Sequence, residues 1–150
     1  MRRHAERGLR ALTTLLLAGL LAACGPREAA APDPLAQAPG EWLLINYWAE
    51  WCKPCLEEIP ELNAFSREHA GKARVLMVNY DGVAGEELAA QARTLGIETP
   101  LLEVDPSARF GFARPQVLPA TFVIGPDGKA RQTLLGPQTV ASLQAAIAGP

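Results

Sequence analysis

Two cysteines separated by two residues, Cys52 and Cys55, are the side chains of this sequence best suited to chemistry. Such a pair serves in c-type haem attachment, zinc binding, a structural disulfide or thiol-disulfide exchange. Haem attachment requires a histidine directly after the second cysteine, and the residue there is Leu56. Zinc requires four ligands, and after Cys24 the sequence has no second cysteine pair and a single histidine, His69. A disulfide, either structural or redox-active, remains.

The position of the pair favours redox activity. It follows an almost unbroken apolar run, typical of a buried strand, and a helical pattern begins at Lys53. Cys52 therefore lies where unpaired N–H groups, the helix dipole and the Lys53 charge stabilise a thiolate, and Pro54 is well tolerated in a first helical turn. We expect Cys52, beside an exposed Trp51, to be the attacking thiol. Cys55, one turn later and more buried, is expected to be the resolving thiol.

The elements around the pair predict an α/β domain with a sheet covered by helices. Apolar runs predict strands at residues 42–48, 75–78 and 121–124, and a shorter one at 100–104. Apolar periodicity predicts helices at residues 53–70 and 86–95, a helical turn at 107–111 and a last helix opened by Pro137. Pro60 is expected to kink the first helix. The Gly-Pro-Asp-Gly turn at residues 125–128 is expected to join two antiparallel strands.

The first forty residues predict export and lipid anchoring. Clustered arginines precede a mostly apolar segment, residues 11–23, which is too short to span a bilayer and fits a secretory signal. Leu-Ala-Ala-Cys at residues 21–24 resembles the bacterial lipobox, which implies that residues 1–23 are removed and that Cys24 carries lipid. Gly25 follows where Asp would resemble an inner-membrane retention signal, so the outer membrane is favoured. Residues 24–40, rich in proline and alanine, predict a tether, and residues 41–150 the domain.

Charge excludes one large class of partner. From Cys24 onward, ten basic residues stand against fifteen acidic ones, so the chain lacks the basic surface of a nucleic-acid-binding protein.

Lipidation of Cys24 leaves two of the three cysteines as a pair, which suits an oxidising compartment.

Four sequence blocks resemble the thioredoxin superfamily, and more narrowly its TlpA-like or ResA-like membrane-attached thiol-disulfide oxidoreductases. They are residues 45–55 (Ile-Asn-Tyr-Trp-Ala-Glu-Trp-Cys-Lys-Pro-Cys), 58–60 (Glu-Ile-Pro), 118–122 (Leu-Pro-Ala-Thr-Phe) and 125–128. The resemblance covers the chain from about Pro39 to its end. It implies a thioredoxin-like α/β fold, with a central mixed β-sheet flanked by helices and a short TlpA-type insertion between Gly96 and Pro115.

The same resemblance implies roles for further residues. Pro119 matches the cis-proline that faces the disulfide, and the backbone of Leu118 would pair with a substrate strand. Glu58 matches an acidic residue that relays the proton of Cys55. Asn46 stands where thioredoxins proper carry a buried aspartate, and since an amide cannot ionise, this strengthens the role of Glu58. The alternatives are an ordinary trans turn at Pro119 and an exposed helix glutamate at residue 58.

The expected function is that of a monomeric, lipid-anchored thiol-disulfide oxidoreductase at the periplasmic face of the membrane. It would exchange Cys52 and Cys55 with disulfide-containing or dithiol periplasmic proteins, apocytochrome c among them, and take electrons from a membrane thiol reductant. No metal, organic cofactor or nucleic acid is implied. Two alternatives remain: a non-catalytic thioredoxin-like binding lipoprotein with a structural disulfide, and an oxidase that forms disulfides. A structural disulfide in so short a loop would add little stability.

Overall fold

The predicted α/β architecture is confirmed in the computed structural model, which describes residues 32–148. The compact unit that carries the cysteine pair begins at Pro34. Its elements, in chain order, are β1 (Trp42–Trp48), α1 (Lys53–Glu68), β2 (Ala73–Asn79), α2 (Gly85–Leu95), β3 (Leu101–Leu102), α3 (Ser107–Phe110), β4 (Ala120–Ile124), β5 (Ala130–Leu135) and α4 (Val140–Ile147).

The strands of the described region form one mixed sheet in the order β3-β2-β1-β4-β5. Strand β2 is parallel to β1 and β3, whereas β4 is antiparallel to both β1 and β5. Strand β1 is therefore central, and every residue after Trp42 in this strand is buried. Its position explains the unbroken apolar run, because a strand covered on both faces has no solvent-facing side to make polar.

The two faces of the sheet have different cores. Side chains alternate along a strand, so Leu44, Asn46 and Trp48 point to one face and Leu43, Ile45 and Tyr47 to the other. Helices α1, α2 and α4 cover the first face, with buried residues Ile59, Leu62, Phe65, Leu88, Leu143 and Ile147. Phe110, Phe112 and Leu35 pack on the second face. Asn46 is thus a polar residue on the face that α1 covers.

Element boundaries follow local capping. Helix α1 continues through Pro60 and ends at Glu68, two residues earlier than expected. Gly96 ends α2 as predicted, with a left-handed φ of 69°. Helix α4 begins at Val140 and not at Pro137, because Thr139 and the N3 residue Ser142 cap it reciprocally.

Part of the predicted tether contacts the domain. The guanidinium group of Arg74 donates hydrogen bonds to the carbonyl oxygens of Pro34 (2.9 Å) and Ala36 (2.6 Å). The side chain of Gln37 donates to the carbonyl oxygen of Gly125 at 2.9 Å. Residues 34–40 therefore lie against the domain rather than extending from it.

The predicted signal peptide, residues 1–23, and the predicted lipid attachment residue Cys24 lie outside the described residues. No helix in residues 32–148 is long and apolar enough to cross a membrane.

Candidate active site

The cysteine pair lies at the junction of β1 and α1. Cys52 is the N-cap residue of α1, and its carbonyl oxygen accepts hydrogen bonds from the backbone N–H groups of Cys55 (2.9 Å) and Leu56 (3.2 Å). The two cysteines form a disulfide. Cys55 is fully buried, whereas 4% of Cys52 is exposed. Cys52 is thus the more exposed of two buried cysteines, and the predicted roles of attacking and resolving thiol stay predictions.

Trp51 is the exposed side chain next to the disulfide, with 67% of its surface in solvent. Its indole Nε1 donates a hydrogen bond to Oδ2 of Asp81 at 2.8 Å. Asp81 follows β2, and because β1 and β2 are parallel, their carboxyl ends lie at the same edge of the sheet. Sequence reasoning missed Asp81, although the position of an acidic residue two residues after the neighbouring strand was a usable signal.

Lys53 and Pro54 open α1 as predicted. The Lys53 side chain is exposed, and its Nζ lies 3.8 Å from Oε1 of Glu57, one turn along the helix. Water and this carboxylate both screen the ammonium charge, so its effect on a neighbouring thiol is weak. The helix terminus is therefore the principal source of positive potential at Cys52.

The peptide bond between Leu118 and Pro119 is cis, as the family resemblance implies. Leu118 packs against the hydrophobic cluster that contains Cys52 and Cys55. The carbonyl oxygen of Pro119 accepts a hydrogen bond from the backbone N–H of Gly136 at 2.9 Å. The segment that enters β4 is thus fixed next to the hydrophobic cluster that contains the disulfide. The pairing of Leu118 with a substrate strand stays a prediction.

Glu58 is buried, with 1% of its surface exposed, so the alternative of an exposed helix glutamate is wrong. It lies three residues after Cys55 and thus on the same side of α1. Its Oε1 accepts a hydrogen bond from Nδ2 of Asn46 (2.7 Å), and its Oε2 accepts one from the backbone N–H of Gln138 (2.8 Å). Burial raises the pKa of Glu58 to about 7, because the loss of water outweighs these two hydrogen bonds, which lower it.

Asn46 joins the helix to the sheet. Besides its bond to Glu58, Nδ2 donates to Oγ1 of Thr121 at 2.9 Å, and Thr121 is the β4 residue directly opposite Asn46. Thr121 is the second residue after Pro119, so a side-chain hydrogen-bond chain runs from the cis-proline strand to Glu58. Sequence reasoning noted Asn46 as a departure from thioredoxins but found neither of its partners.

The segment that precedes α4 completes this region. Besides the Gln138 bond to Glu58, the backbone N–H of Val140 donates to Oε2 of Glu61 at 2.8 Å. Two carboxylates of α1 therefore accept bonds from the N–H groups at the start of α4, which have no partners within that helix. Sequence reasoning missed Gln138, because only the packing of α4 on α1 brings the two segments together.

Potential metal ligands are dispersed in the described region, where no group of three or more His, Cys, Asp or Glu residues is placed to hold a metal ion. His69 stacks on Phe65, with ring centroids 4.2 Å apart. Its Nδ1 lies 3.0 Å from the carbonyl oxygen of the same Phe65. His69 is thus a packed residue at the far end of α1. The prediction that the reaction needs no cofactor stays a prediction.

Comparison with known proteins assigns the family. The sequence model of the AhpC/TSA family matches residues 24–133. The chain belongs to the AhpC/TSA family. This assignment confirms the resemblance to thioredoxin-like proteins that the cysteine block indicated.

This AhpC/TSA member has curated relatives in Bacillus. It is 30% identical over 107 residues to the thioredoxin-like protein YneN of Bacillus subtilis, a match that covers 70% of the chain and 62% of YneN. It is 26% identical over 113 residues to the thiol-disulfide oxidoreductase ResA of Bacillus anthracis, covering 73% of the chain and 64% of ResA. The chain therefore spans less than two thirds of the length of these relatives.

A solved structure shows the same fold as this AhpC/TSA member. The exposed lipoprotein thioredoxin Etrx1 of Streptococcus pneumoniae matches it with a TM-score of 0.60 and 23% identity, over 73% of this chain and 85% of that one. The likeness confirms the predicted thioredoxin-like fold.

Proposed function

We propose that this chain is a thiol-disulfide oxidoreductase that reduces disulfides in exported proteins. The observation that carries the proposal is the Cys52–Cys55 pair at the start of α1, with its first cysteine the more exposed of the two and the buried carboxyl group of Glu58 one turn beyond its second. The activity named in ResA, a relative, supports the same class of reaction.

The reaction begins at Cys52 of the reduced protein. The N–H groups and dipole at the start of α1 stabilise its thiolate, which attacks one sulfur of a substrate disulfide. A mixed disulfide forms between Cys52 and that sulfur, and the other substrate sulfur leaves as a thiolate. Trp51, exposed beside Cys52 and held by Asp81, offers an apolar surface to the substrate at this step.

Cys55 completes the reaction. Its thiol transfers its proton to the Glu58 carboxylate, and the resulting thiolate attacks Cys52. The Cys52–Cys55 disulfide forms, and the second substrate sulfur leaves, so two electrons have passed to the substrate. A pKa of about 7 suits Glu58 for this step, because a group that titrates near the working pH can both take up and release the proton. A membrane thiol reductant would then return the pair to its dithiol form.

The proposal includes location and substrates. The lipobox-like residues 21–24 support lipid attachment at Cys24 and a position at the periplasmic face, with the outer membrane favoured. The substrates would be periplasmic disulfide proteins, including apocytochrome c during cytochrome c maturation. The protein would act as a monomer without an organic cofactor.

Insulin reduction by dithiothreitol tests the activity. The wild-type protein should accelerate insulin precipitation, Cys52→Ser should abolish the acceleration, and Cys55→Ser should retain mixed disulfides with its partners. A wild-type protein without activity would favour a structural disulfide in a binding lipoprotein. The reduction potential then gives the direction, because thioredoxin-like proteins range from about −270 mV for reductants to about −120 mV for oxidants.

A further inference from the structure

Both carboxylate oxygens of Glu58 face N–H donors. Oε1 lies 2.7 Å from Nδ2 of Asn46, and Oε2 lies 2.8 Å from the backbone nitrogen of Gln138. This arrangement suits an ionised carboxylate, which only accepts hydrogen bonds. Each oxygen has a second lone pair, but a proton placed along either of these two hydrogen bonds would point at an N–H group. Protonation in that direction requires the donor to give way.

The backbone N–H of Gln138 cannot act as a hydrogen-bond acceptor. It belongs to the segment that leads into α4, where the N–H of Val140 is bound to Glu61 and Thr139 caps the helix. The amide of Asn46 can, because its oxygen and nitrogen ends have nearly the same shape, and a half-turn about its terminal bond exchanges a donor for an acceptor.

The partners of Asn46 allow this exchange. Its side chain is fully buried, yet among residues 32–148 its Oδ1 has no hydrogen-bond partner, whereas Nδ2 has two acceptors. A buried carbonyl without a donor is unfavourable. After a half-turn, Oδ1 would face Glu58 and Thr121 and accept from both, and Nδ2 would take the unpaired position. Each orientation therefore leaves one end of the amide without a partner. The Thr121 hydroxyl fits either orientation, because it can accept from Nδ2 or donate to Oδ1.

We propose that Asn46 is a positioning residue that exchanges the two ends of its amide as Glu58 gains and loses a proton. When Cys55 resolves the mixed disulfide, its S–H bond breaks and an O–H bond forms at Oε1 of Glu58. The turned amide of Asn46 then accepts from that O–H, and it turns back when the proton leaves. This inference rests on the proposed function and deepens it, since it assigns a residue to the proton step.

The groups near Glu58 allow its titration to be isolated. Asn46 and Gln138, which bond it, do not titrate, and neither does Thr121 beyond Asn46. On α1, Glu61 is bound to the backbone N–H of Val140, and Glu57 lies on the exposed side with Lys53. Cys55 titrates only when reduced, so the oxidised protein leaves Glu58 as the titrating group of this pocket.

Nuclear magnetic resonance of the oxidised, isotope-labelled protein between pH 5 and pH 9 tests the exchange directly. Above the midpoint of the Glu58 carboxyl carbon titration, the Asn46 amide protons should give nuclear Overhauser effects to Glu58 and Thr121. Below that midpoint these effects should be lost, and the pH at which they are half lost should equal the midpoint of the Glu58 titration. Glu58→Gln is the control, and its Asn46 signals should not change with pH. Unchanged effects in the wild-type protein while Glu58 titrates would overturn the inference.

Variants connect the exchange to the reaction. Asn46→Leu removes the donor to the ionised carboxylate at similar size, so the midpoint of Glu58 should rise by about one pH unit, and the pH profile of mixed-disulfide resolution should shift with it. Thr121→Val, the matched control, keeps the bond to Glu58 and should shift the profile less. An unshifted profile in Asn46→Leu would contradict the role. A wild-type protein that shows the amide exchange but does not reduce insulin would instead contradict the proposed function alone.

Discussion

Nδ2 of Asn46, in the central strand β1, lies 2.7 Å from Oε1 of Glu58 in α1, so the helix that carries the cysteines is bonded to the middle of the sheet through a group that titrates. An aspartate at residue 46 would place two carboxyl groups in hydrogen-bond contact, and their repulsion would raise one pKa strongly. The amide leaves Glu58 as the single acid at this contact. The proposed proton acceptor is therefore on the helix, one turn from Cys55.

Glu58→Gln should slow the resolution of the mixed disulfide more than its formation. The variant cannot accept the Cys55 proton, and a positioned proton acceptor commonly accelerates transfer by roughly 100-fold or more. Stopped-flow decay of the mixed disulfide across pH 5 to 9 measures the effect. Glu57→Gln, which changes the exposed acid next to it, is the control and should behave as wild type. Wild-type decay in Glu58→Gln would mean that another group or water takes the proton.

The buried carboxyl should also make stability depend on pH. Because the pKa of Glu58 is about 7 in the folded protein against an ordinary 4.5, its contribution is fully present below about pH 4.5 and is lost as pH rises to 7. The shift corresponds to about 3 kcal/mol at most.

Urea unfolding at pH 4, 5.5, 7 and 8 measures this loss as the difference in free energy of unfolding between wild type and Glu58→Gln. The free energy of unfolding of wild type minus that of Glu58→Gln should fall as the pH rises from 4 to 7, and it should level off above pH 7. A difference that is constant with pH would show that Glu58 titrates alike in the folded and unfolded states.

The sequence predicted those features that depend on local patterns. The apolar run of β1 identified the central strand, Gly96 identified the end of α2, and the helical pattern from Lys53 identified the start of α1. Capping at α4 was also local, but its Thr139–Ser142 box has serine where a glutamate or glutamine is the usual signal, so Pro137 was the stronger signal for a helix start.

Long-range partners were not predicted. Asp81, Thr121 and Gln138 each bond a residue of the site from another part of the chain, and only the folded sheet and the packing of α4 bring them there. The same holds for Arg74, which binds the backbone of residues 34–36 and turns part of an expected tether into domain surface. Burial of Glu58, which decides its chemistry, likewise depends on the packing of α1 against the sheet and against the start of α4.

Cys24→Ala should detach the protein from the membrane without changing the domain. The compact unit begins at Pro34, and the hydrogen bonds of Arg74 and Gln37 hold its first residues, so we expect this unit to fold with either residue at position 24. When cells are fractionated, the variant should appear in the soluble fraction instead of the membrane pellet, and its insulin reduction should be unchanged. Lys72→Ala, a surface change in the domain, should leave the protein in the pellet. A Cys24→Ala protein that still pellets would remove the lipid-anchor interpretation.

Cys52 should react before Cys55 in the reduced protein. Both thiols are near the start of α1, but Cys52 is the N-cap residue and retains 4% exposure, whereas Cys55 is fully buried. The helix terminus should hold the apparent pKa of the Cys52 thiol below the ~8.5 of a free cysteine, so its thiolate is present near neutral pH. Iodoacetamide labelling from pH 5 to 9, followed by peptide mass spectrometry, gives the rate at each cysteine. Cys55→Ser should keep the rapid labelling, and Cys52→Ser should lose it. If Cys55 were labelled first, the attacking and resolving thiols would have to be exchanged, and Glu58 would then be one turn from the attacking sulfur.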